Sequence, residues 1–413
     1  MLPAYVDVLI VGAGPTGLAL ANKLQKHGVD HVLIDALEAG QNQSRAAVIH
    51  AHTLEMLADT GLAAPLMAEG RPVSRFTIRD RDRALLGIDF AGLPSLFRNL
   101  LMIPQSTTEA IFAGRHAASG GSIRRGVSAV SARAGGRGAI VRVKSAGGEQ
   151  EIEARYAVGA DGMHSRIREA AGIPFDGAHD AHSMVLADVR MDWPLGVEEV
   201  SFLFAPAGMV VVAPLPDGAF RIVAELDGAP EEPGLADIQQ LLDMRGPRSG
   251  SCRVHEVIWG SRFRVSHRLA AAYRKGPFLL MGDAAHVHSP AGGQGMNTGL
   301  VDAILLGEAL VRVVQGGEPH ALLDGYAAAR RPAAAKVLSL AGMLTRVATL
   351  RSAPGRALRN LILRVLNHVP AFKRRLAMNL SGLSRRNFAR LPGPTVAIGA
   401  AGRARGTERR LAA

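Results

Sequence analysis

The sequence predicts an α/β fold: a doubly wound parallel sheet, an inserted strand-rich domain and a set of C-terminal helices. Three observations predict it. Residues 5–35 read as strand, glycine turn, helix, strand. Two later strand-to-helix turns, at 159–162 and 282–283, join glycine to aspartate. Between those turns, residues 182–228 and 252–266 are strand-rich and read as a separate sheet.

The first unit is the clearest. VDVLIVG, ending at Gly12, is a short β-branched apolar run of the kind a buried parallel strand needs. LALANKLQKHG follows at helical spacing and stops at Gly28. HVLID, residues 31–35, is a second apolar run ending in an acid. Residues 44–70 look helical around HTLEMLADTGL, and 73–90 alternate enough for two strands. Pro104-Gln105-Ser106 opens a helix to about Ala118. Residues 122–158 read as strands joined by glycine-rich turns, with a buried strand from Tyr156 to Ala160. A helix is expected near 235–245, a buried strand over 278–282, and helices over 297–314 and 321–349. Two shorter helices follow before Pro392, and the last twenty or so residues read as a loose, basic tail. The domain organisation expected is 1–178 with 267–330 as one discontinuous domain, 179–266 as the sheet domain, 331–391 as helices and 392–413 as tail.

Composition narrows the class. The chain has 413 residues, 48% hydrophobic and 20% charged, enough apolar material for a large core. A single cysteine, Cys252, excludes an internal disulfide framework and a cysteine-built metal site, and fits a reducing, cytoplasmic setting. The N-terminus has no basic region before its apolar run, which Asp7 and glycines interrupt, so no signal peptide or transmembrane span is expected. The net charge of +12 is unevenly placed: residues 330–413 carry 18 Lys/Arg and one acid, Glu408, while the remaining 329 residues sum to −5. The basicity therefore belongs to the C-terminal segment. It reads as solvated helix faces or as a patch for an acidic partner, a nucleotide phosphate or a membrane surface. With 4% aromatic residues and no DNA-reading motif, no nucleic-acid partner is expected.

Gly12-Ala13-Gly14-Pro15-Thr16-Gly17 is G-x-G-x-x-G after a strand and at the start of a helix. Gly12 allows the tight turn, Gly14 lets a pyrophosphate approach the backbone, and Gly17 permits close helix–strand packing. The helix N-terminus adds free N–H groups and a positive dipole. Asp35, 18 residues beyond Gly17, stands where an acid meets an adenosine ribose. This predicts a Rossmann-like dinucleotide site without separating FAD from NAD. Gly159-Ala160-Asp161-Gly162 sits at another strand-to-helix turn, where Asp161 and Ser165 could simply cap the next helix. FLLMGDAA places Asp283 at a strand end, ahead of a long glycine-rich loop, Gly292–Gly295, and a helix N-terminus. A strand-end acid suits a ribityl hydroxyl, and the loop lets backbone N–H groups approach a flat heterocycle.

With these motifs in order, the sequence resembles the class A flavin-dependent aromatic monooxygenases, the para-hydroxybenzoate hydroxylase-like family. The resemblance rests on VLIVGAGPTGLALA, SRAAVIHAHTLEML, VGADGMHSRIREAAGI and FLLMGDAAHVHSPAGGQGMNTGLVDA, and covers about three quarters of the chain. It is nearest to hydroxylases of phenolic and polycyclic substrates in bacterial aromatic and polyketide pathways. It implies an FAD-binding fold with an inserted substrate domain. NAD(P)H would be co-substrate, and a flavin C4a-hydroperoxide formed from O2 would hydroxylate an electron-rich ring. Gly12, Gly14, Pro15, Thr16 and Gly17 would cradle the pyrophosphate and Asp35 the ribose. Gln105 would meet the ribityl chain, the backbone near Val127 the adenine, and Asp161 both FAD and the nicotinamide nucleotide. Asp283 would hold the ribityl chain. Pro290, Gly293, Gly295, Met296 and Asn297 would line the isoalloxazine and the oxygen site. Arg45, beside the flavin and its phosphates, and Pro290 are the candidate catalytic residues.

The sequence departs from the family in several places. Longer relatives carry a thioredoxin-like C-terminal domain, for which this chain leaves no room. Asp35 replaces the usual glutamate, and LLGEAL lacks a tryptophan often found nearby. His182, His255 and Tyr273 are candidates for a general base in or beside the substrate sheet, each with an ordinary structural role as the alternative. Trp259 and Phe263 read as core or pocket wall, and Cys252 as a buried hydrophobe. No metal is expected: His286 and His288 have no third ligand. Baeyer–Villiger chemistry, a membrane-associated quinone hydroxylase anchored by the basic C-terminus and a non-catalytic FAD-binding protein are the competing readings. The assembly would be a monomer or homodimer.

Overall fold

The structure, a computed structural model, describes residues 2–40, 46–226, 228–289, 292–348, 350 and 352–391. Strand β1 (Tyr5–Val11) is buried along most of its length and leads into helix α1 (Pro15–Lys26). Pro15 is the first helical residue, where its missing N–H costs nothing. Strand β2 (His31–Ile34) returns parallel to β1. Helix α2 (Ala51–Ala58) and a strand pair, β3 (Arg75–Asp80) and β4 (Arg83–Asp89), follow. Next come α3 (Gln105–Ala118) and the long β5 (Gly148–Gly159). Then come β6 (Phe175–Met191), β7 (Glu199–Ala205), β8 (Gly208–Pro214) and β9 (Phe220–Glu225). Helix α4 (Leu235–Arg245), β10 (Val254–Ala270) and β11 (Phe278–Leu280) complete the strand-rich region. Four α-helices follow, α5 (Gln294–Val314), α6 (Ala321–Ala348), α7 (Ala353–Asn367) and α8 (Pro370–Leu380), and a 3-10 turn over Leu383–Phe388 comes after them.

The first sheet orders its core as β11, β5, β1, β2, with all three pairings parallel. Its order reverses at β1: β2 lies on one side, and β5, from more than a hundred residues later, on the other. Open α/β sheets bind ligands at the carboxyl ends of strands beside such a reversal. The second sheet runs β10, β6, β9, β8, β7, β3, β4 and is antiparallel except where β7 meets β3. It therefore draws on Arg75–Asp89 as well as on residues between 175 and 270.

Alternation along these strands splits the second sheet into two faces. Val185, Ala187, Val210, Val212, Ile222 and Ala224 point to α4 and its Ile238, Leu241 and Leu242. Met184, Phe202, Phe204, Val211 and Val223 form the other apolar cluster, together with Ala47 and with Val48 and Met102, which pair in a small separate sheet. Helix α8 joins that cluster through Phe372, Leu376 and Leu380. On the same face, Arg221 and Asp188 make a bidentate pair, both contacts at 2.7 Å.

Candidate active site

The three glycine turns meet at the carboxyl ends of adjacent strands. Ala160 N donates to Val11 O at 2.8 Å, and Met281 N to Gly159 O at 3.1 Å. Gly12 adopts φ +105°, and a Cβ there would lie 2.3 Å from Ala160 O. A Cβ on Gly17 would lie 1.8 Å from Gly12 O. Gly14 differs: it precedes α1 in extended backbone, and no atom lies within 4 Å of its added Cβ. No side chain caps α1, and its first turn has no acid, so its N-terminus keeps its own N–H groups toward the crevice. The Thr16 side chain fills a slot between the first and third turns. A Cβ on Gly282 would meet its Oγ1 at 2.9 Å, and one on Gly299 at 2.7 Å.

Asp35 stands at the rim, as its place after β2 requires. One carboxylate oxygen accepts from Ala13 N at 2.6 Å and the other from Leu37 N at 2.8 Å. Val127 N donates to the Asp35 carbonyl at 2.9 Å, so these two predicted positions are neighbours. Gln105 opens α3 and brackets Ala46: its backbone N donates to Ala46 O at 3.0 Å, and its Oε1 accepts from Ala46 N at 3.2 Å. Arg45 and Pro290, the two candidate catalytic residues, lie outside the described residues.

Asp161 does cap. Its Oδ2 accepts from Arg166 N at 2.7 Å, and the Ser165 hydroxyl accepts from Arg168 N at 3.1 Å. Its Oδ1 is buried without a partner, and burial raises the carboxyl pKa. Arg168 ties this turn to the next by donating to Met163 O and Ala284 O at 2.9 and 3.0 Å.

The third turn carries Asp283, exposed just past β11, and leads to α5. Gly293 caps α5 in left-handed backbone, φ +62°, and a Cβ there would strike Val48 Cγ1 at 2.2 Å. Again no side chain caps the helix, and no acid lies in its first turn. Gly295 faces the His288 ring, and Met296 is partly buried against the first core. Asn297 is spent on structure: it donates to Val48 O and Gly293 O at 2.9 and 2.8 Å and accepts from His50 N at 2.8 Å. It fastens the loop to the segment after Arg45.

Sequence reasoning missed what lies beneath. Asp302, fully buried in α5, accepts from Gly282 N at 3.2 Å, His286 Nε2 at 2.9 Å and Arg330 Nε at 2.7 Å. Arg330 continues to Phe388 O and Thr298 O. The Asp283 turn, the start of α5 and the C-terminal segment thus hang on one carboxylate. Asp302 at mid-helix and the Arg330-Arg331 pair were visible in the sequence, but nothing local joined them.

The general-base candidates do not converge. Tyr273 is buried in the first core, stacked 6.3 Å from the His286 ring, and burial raises its phenol far above the ordinary value. Its ring stacks on the edge strand of the second sheet, with the hydroxyl enclosed by protein. His255 is exposed, 3.0 Å from Asp192. His182 lies in β6, with its side chain outside the described residues. Phe263 belongs to the interlayer cluster, and Trp259 sits 5.8 Å from the Arg221 guanidinium. Burial pushes the half-buried Cys252 thiol up to about 11.

Two imidazoles behind the loop are held neutral. Burial lowers His50 to about 3 and His288 to about 4. Their folded values lie below the unfolded value of 6.5, so their contribution to stability is complete above about pH 6.5 and is lost as pH falls through the folded values. The melting temperature is expected to drop between about pH 6.5 and pH 4, and His288→Asn should flatten that slope. A slope unchanged in the variant would contradict this.

A parallel sheet with a glycine crevice at its reversal point and two helix N-termini facing it defines a dinucleotide-binding protein of the flavoenzyme type. The chain belongs to the FAD binding domain family, which matches residues 5–341. It is 36% identical over 387 residues to 6-methylpretetramide 4-monooxygenase of Streptomyces rimosus, covering 92% of this chain and 69% of that one. Among solved structures, the OxyS anhydrotetracycline hydroxylase from Streptomyces rimosus superposes with a TM-score of 0.78 at 32% identity, covering 92% of this chain and 76% of that one. The p-nitrophenol 4-monooxygenase PnpA from Pseudomonas putida DLL-E4 shares the fold, with a TM-score of 0.85 at 23% identity over 93% of this chain and 99% of that one. The protein is a flavin-dependent aromatic monooxygenase with FAD as its cofactor. No helix among the described residues is long and apolar enough to cross a membrane.

Proposed function

We propose that the protein uses NAD(P)H and O2 to hydroxylate a phenolic or polycyclic aromatic ring held between the α5 loop and the second sheet. The observation carrying this reading is the crevice of three glycine turns opposite an apolar sheet face. The residues present fit FAD. Open space at Gly14, two uncapped helix N-termini and the unpartnered Asp161 Oδ1 are what an anionic, hydroxyl-bearing dinucleotide would engage. When bound, FAD supplies the redox chemistry, taking reducing equivalents from NAD(P)H and activating O2.

The chain supplies position and dryness. Backbone at Gly14 to Gly17 receives the pyrophosphate, Asp35 the adenosine ribose, and Asp283 the ribityl hydroxyls. The N–H groups of Gly295 and Met296 and the α5 dipole favour negative charge at the ring edge. Met184, Phe202, Val211, Val223 and Phe263 present an apolar wall that excludes water from the reacting ring.

The purified protein should be yellow, and NAD(P)H consumption should rise with a phenolic or polycyclic substrate, one oxygen atom of labelled O2 entering the product. A folded protein that is colourless and does not take up FAD would overturn the reading. A ketone converted to an ester would replace hydroxylation with Baeyer–Villiger insertion. Gly14→Ala is expected to keep stability within about 1 kcal/mol of the parent while weakening FAD binding at least about tenfold, because its methyl group would take the pyrophosphate's place. Urea unfolding and flavin fluorescence titration measure the two effects separately.

A further inference from the structure

Helix α7 turns Arg359, Asn360, Leu363 and Asn367 inward and leaves an apolar stripe on its outer face. Arg359 is buried, its guanidinium 3.6 Å from the centre of the Phe204 ring. Asn360 Nδ2 donates to Asp80 Oδ2 at 2.8 Å, and Asn367 Oδ1 accepts from Gly87 N at 3.0 Å. These polar anchors fix the helix to β3 and β4. The opposite face consists of Leu358, Leu361, Ile362 and Val365, 58%, 50%, 48% and 59% exposed. Their i, i+3, i+4, i+7 spacing makes one continuous stripe, the arrangement that in a globular protein normally faces the core. Val369 extends it, and Met343 and Val347 near the end of α6 and Leu350 just past it are exposed too.

The surroundings select the partner. Arg374 and Arg375 are exposed on the next helix, α8, with Lys373 beside them, while Arg356 and Arg364 lie half-buried on α7 away from the stripe. No Asp or Glu occurs between residues 325 and 407. A symmetric contact of this segment with a second copy would bring two basic C-terminal segments together, neither of which carries an acid between residues 325 and 407. A nucleic acid would find aliphatic side chains where it needs aromatic platforms, since α7 has no Phe, Tyr or Trp. An anionic bilayer surface answers both features. Acyl chains accept the aliphatic stripe, and lipid phosphates accept the arginines.

We propose that α7 is an interfacial docking helix that seats the enzyme on membranes rich in anionic lipid. This goes beyond the catalytic reading and does not depend on it. The test uses the full FAD-loaded chain and sucrose-filled vesicles of phosphatidylcholine, alone or mixed with phosphatidylglycerol. The protein should sediment with the mixed vesicles and release as salt rises. L361E with V365E should cut the bound fraction about tenfold or more while flavin absorbance and melting temperature stay at parental values. R374Q with R375Q should weaken binding to mixed vesicles in the same direction. Failure to sediment with mixed vesicles overturns the proposal, as does binding that L361E with V365E leaves unchanged. So does a parent dimer that this variant makes monomeric while vesicle binding is absent.

Discussion

Gly17→Ala should destabilise the protein by several kcal/mol and abolish FAD retention. In an ordinary helix this exchange favours folding by about 1 kcal/mol. Here the added methyl carbon would lie 1.8 Å from Gly12 O and 3.0 Å from Gly12 C, both backbone atoms. Neither can rotate away, so α1 must lift off β1. Overpacking of this kind costs about 1–3 kcal/mol even where side chains can yield, and rigid backbone puts it at or above the upper end. The clash therefore outweighs the propensity gain. Since α1 also presents the phosphate-facing N–H groups, lifting it spoils the crevice. Gly14→Ala supplies the contrast, because its methyl group meets no protein atom. Equal unfolding midpoints for the two variants would show that the close approach is not what Gly17 provides.

Asp302→Ala should cost about 3–5 kcal/mol, the loss expected when one partner of a buried ion pair is removed. Arg330 and His286 would then face an apolar interior, each 2% exposed or less. The Gly282 N–H would also lose its acceptor. Guanidinium unfolding reads the loss directly. The double change Asp302→Leu with Arg330→Met should recover part of it, because an apolar pair of similar size avoids the desolvation of two charges. FAD affinity should stay lower in the double variant than in the parent, since the Asp283 turn remains unfastened. Single and double variants of equal stability would mean that the charge left behind is not the cause.

What the sequence disclosed depended on the distance over which each signal acts. The Gly12–Gly17 turn, the Asp35 position and the Asp161 cap were legible because their geometry is decided within a few residues. The family resemblance, carried by four such segments, holds. Partnerships were less legible. Period-two alternation announced β3 and β4 but not that they extend the sheet formed by residues near 200. Tyr273, in the turn between Ala270 and Arg274, stacks on His286 at the edge of the second sheet, but its ring is buried in the first core. Asn297, in the first turn of α5, has three hydrogen bonds between its side-chain amide and the protein, two of them with residues 48 and 50, which no local pattern announces. Helix α7 is one of the two shorter helices expected before Pro392. Which side faces inward was set by Asp80, Gly87 and Phe204, far away in the chain.

The position of β11 has a bearing on how the chain matures. Residues 278–280 complete the parallel layer at the edge of β5, whose own residues 157–159 precede them by about a hundred and twenty positions. On a ribosome, that edge waits bare until nearly all of the antiparallel layer has emerged. A fragment cut before residue 278 would expose an unpaired, aliphatic strand and should aggregate rather than persist as a half-enzyme.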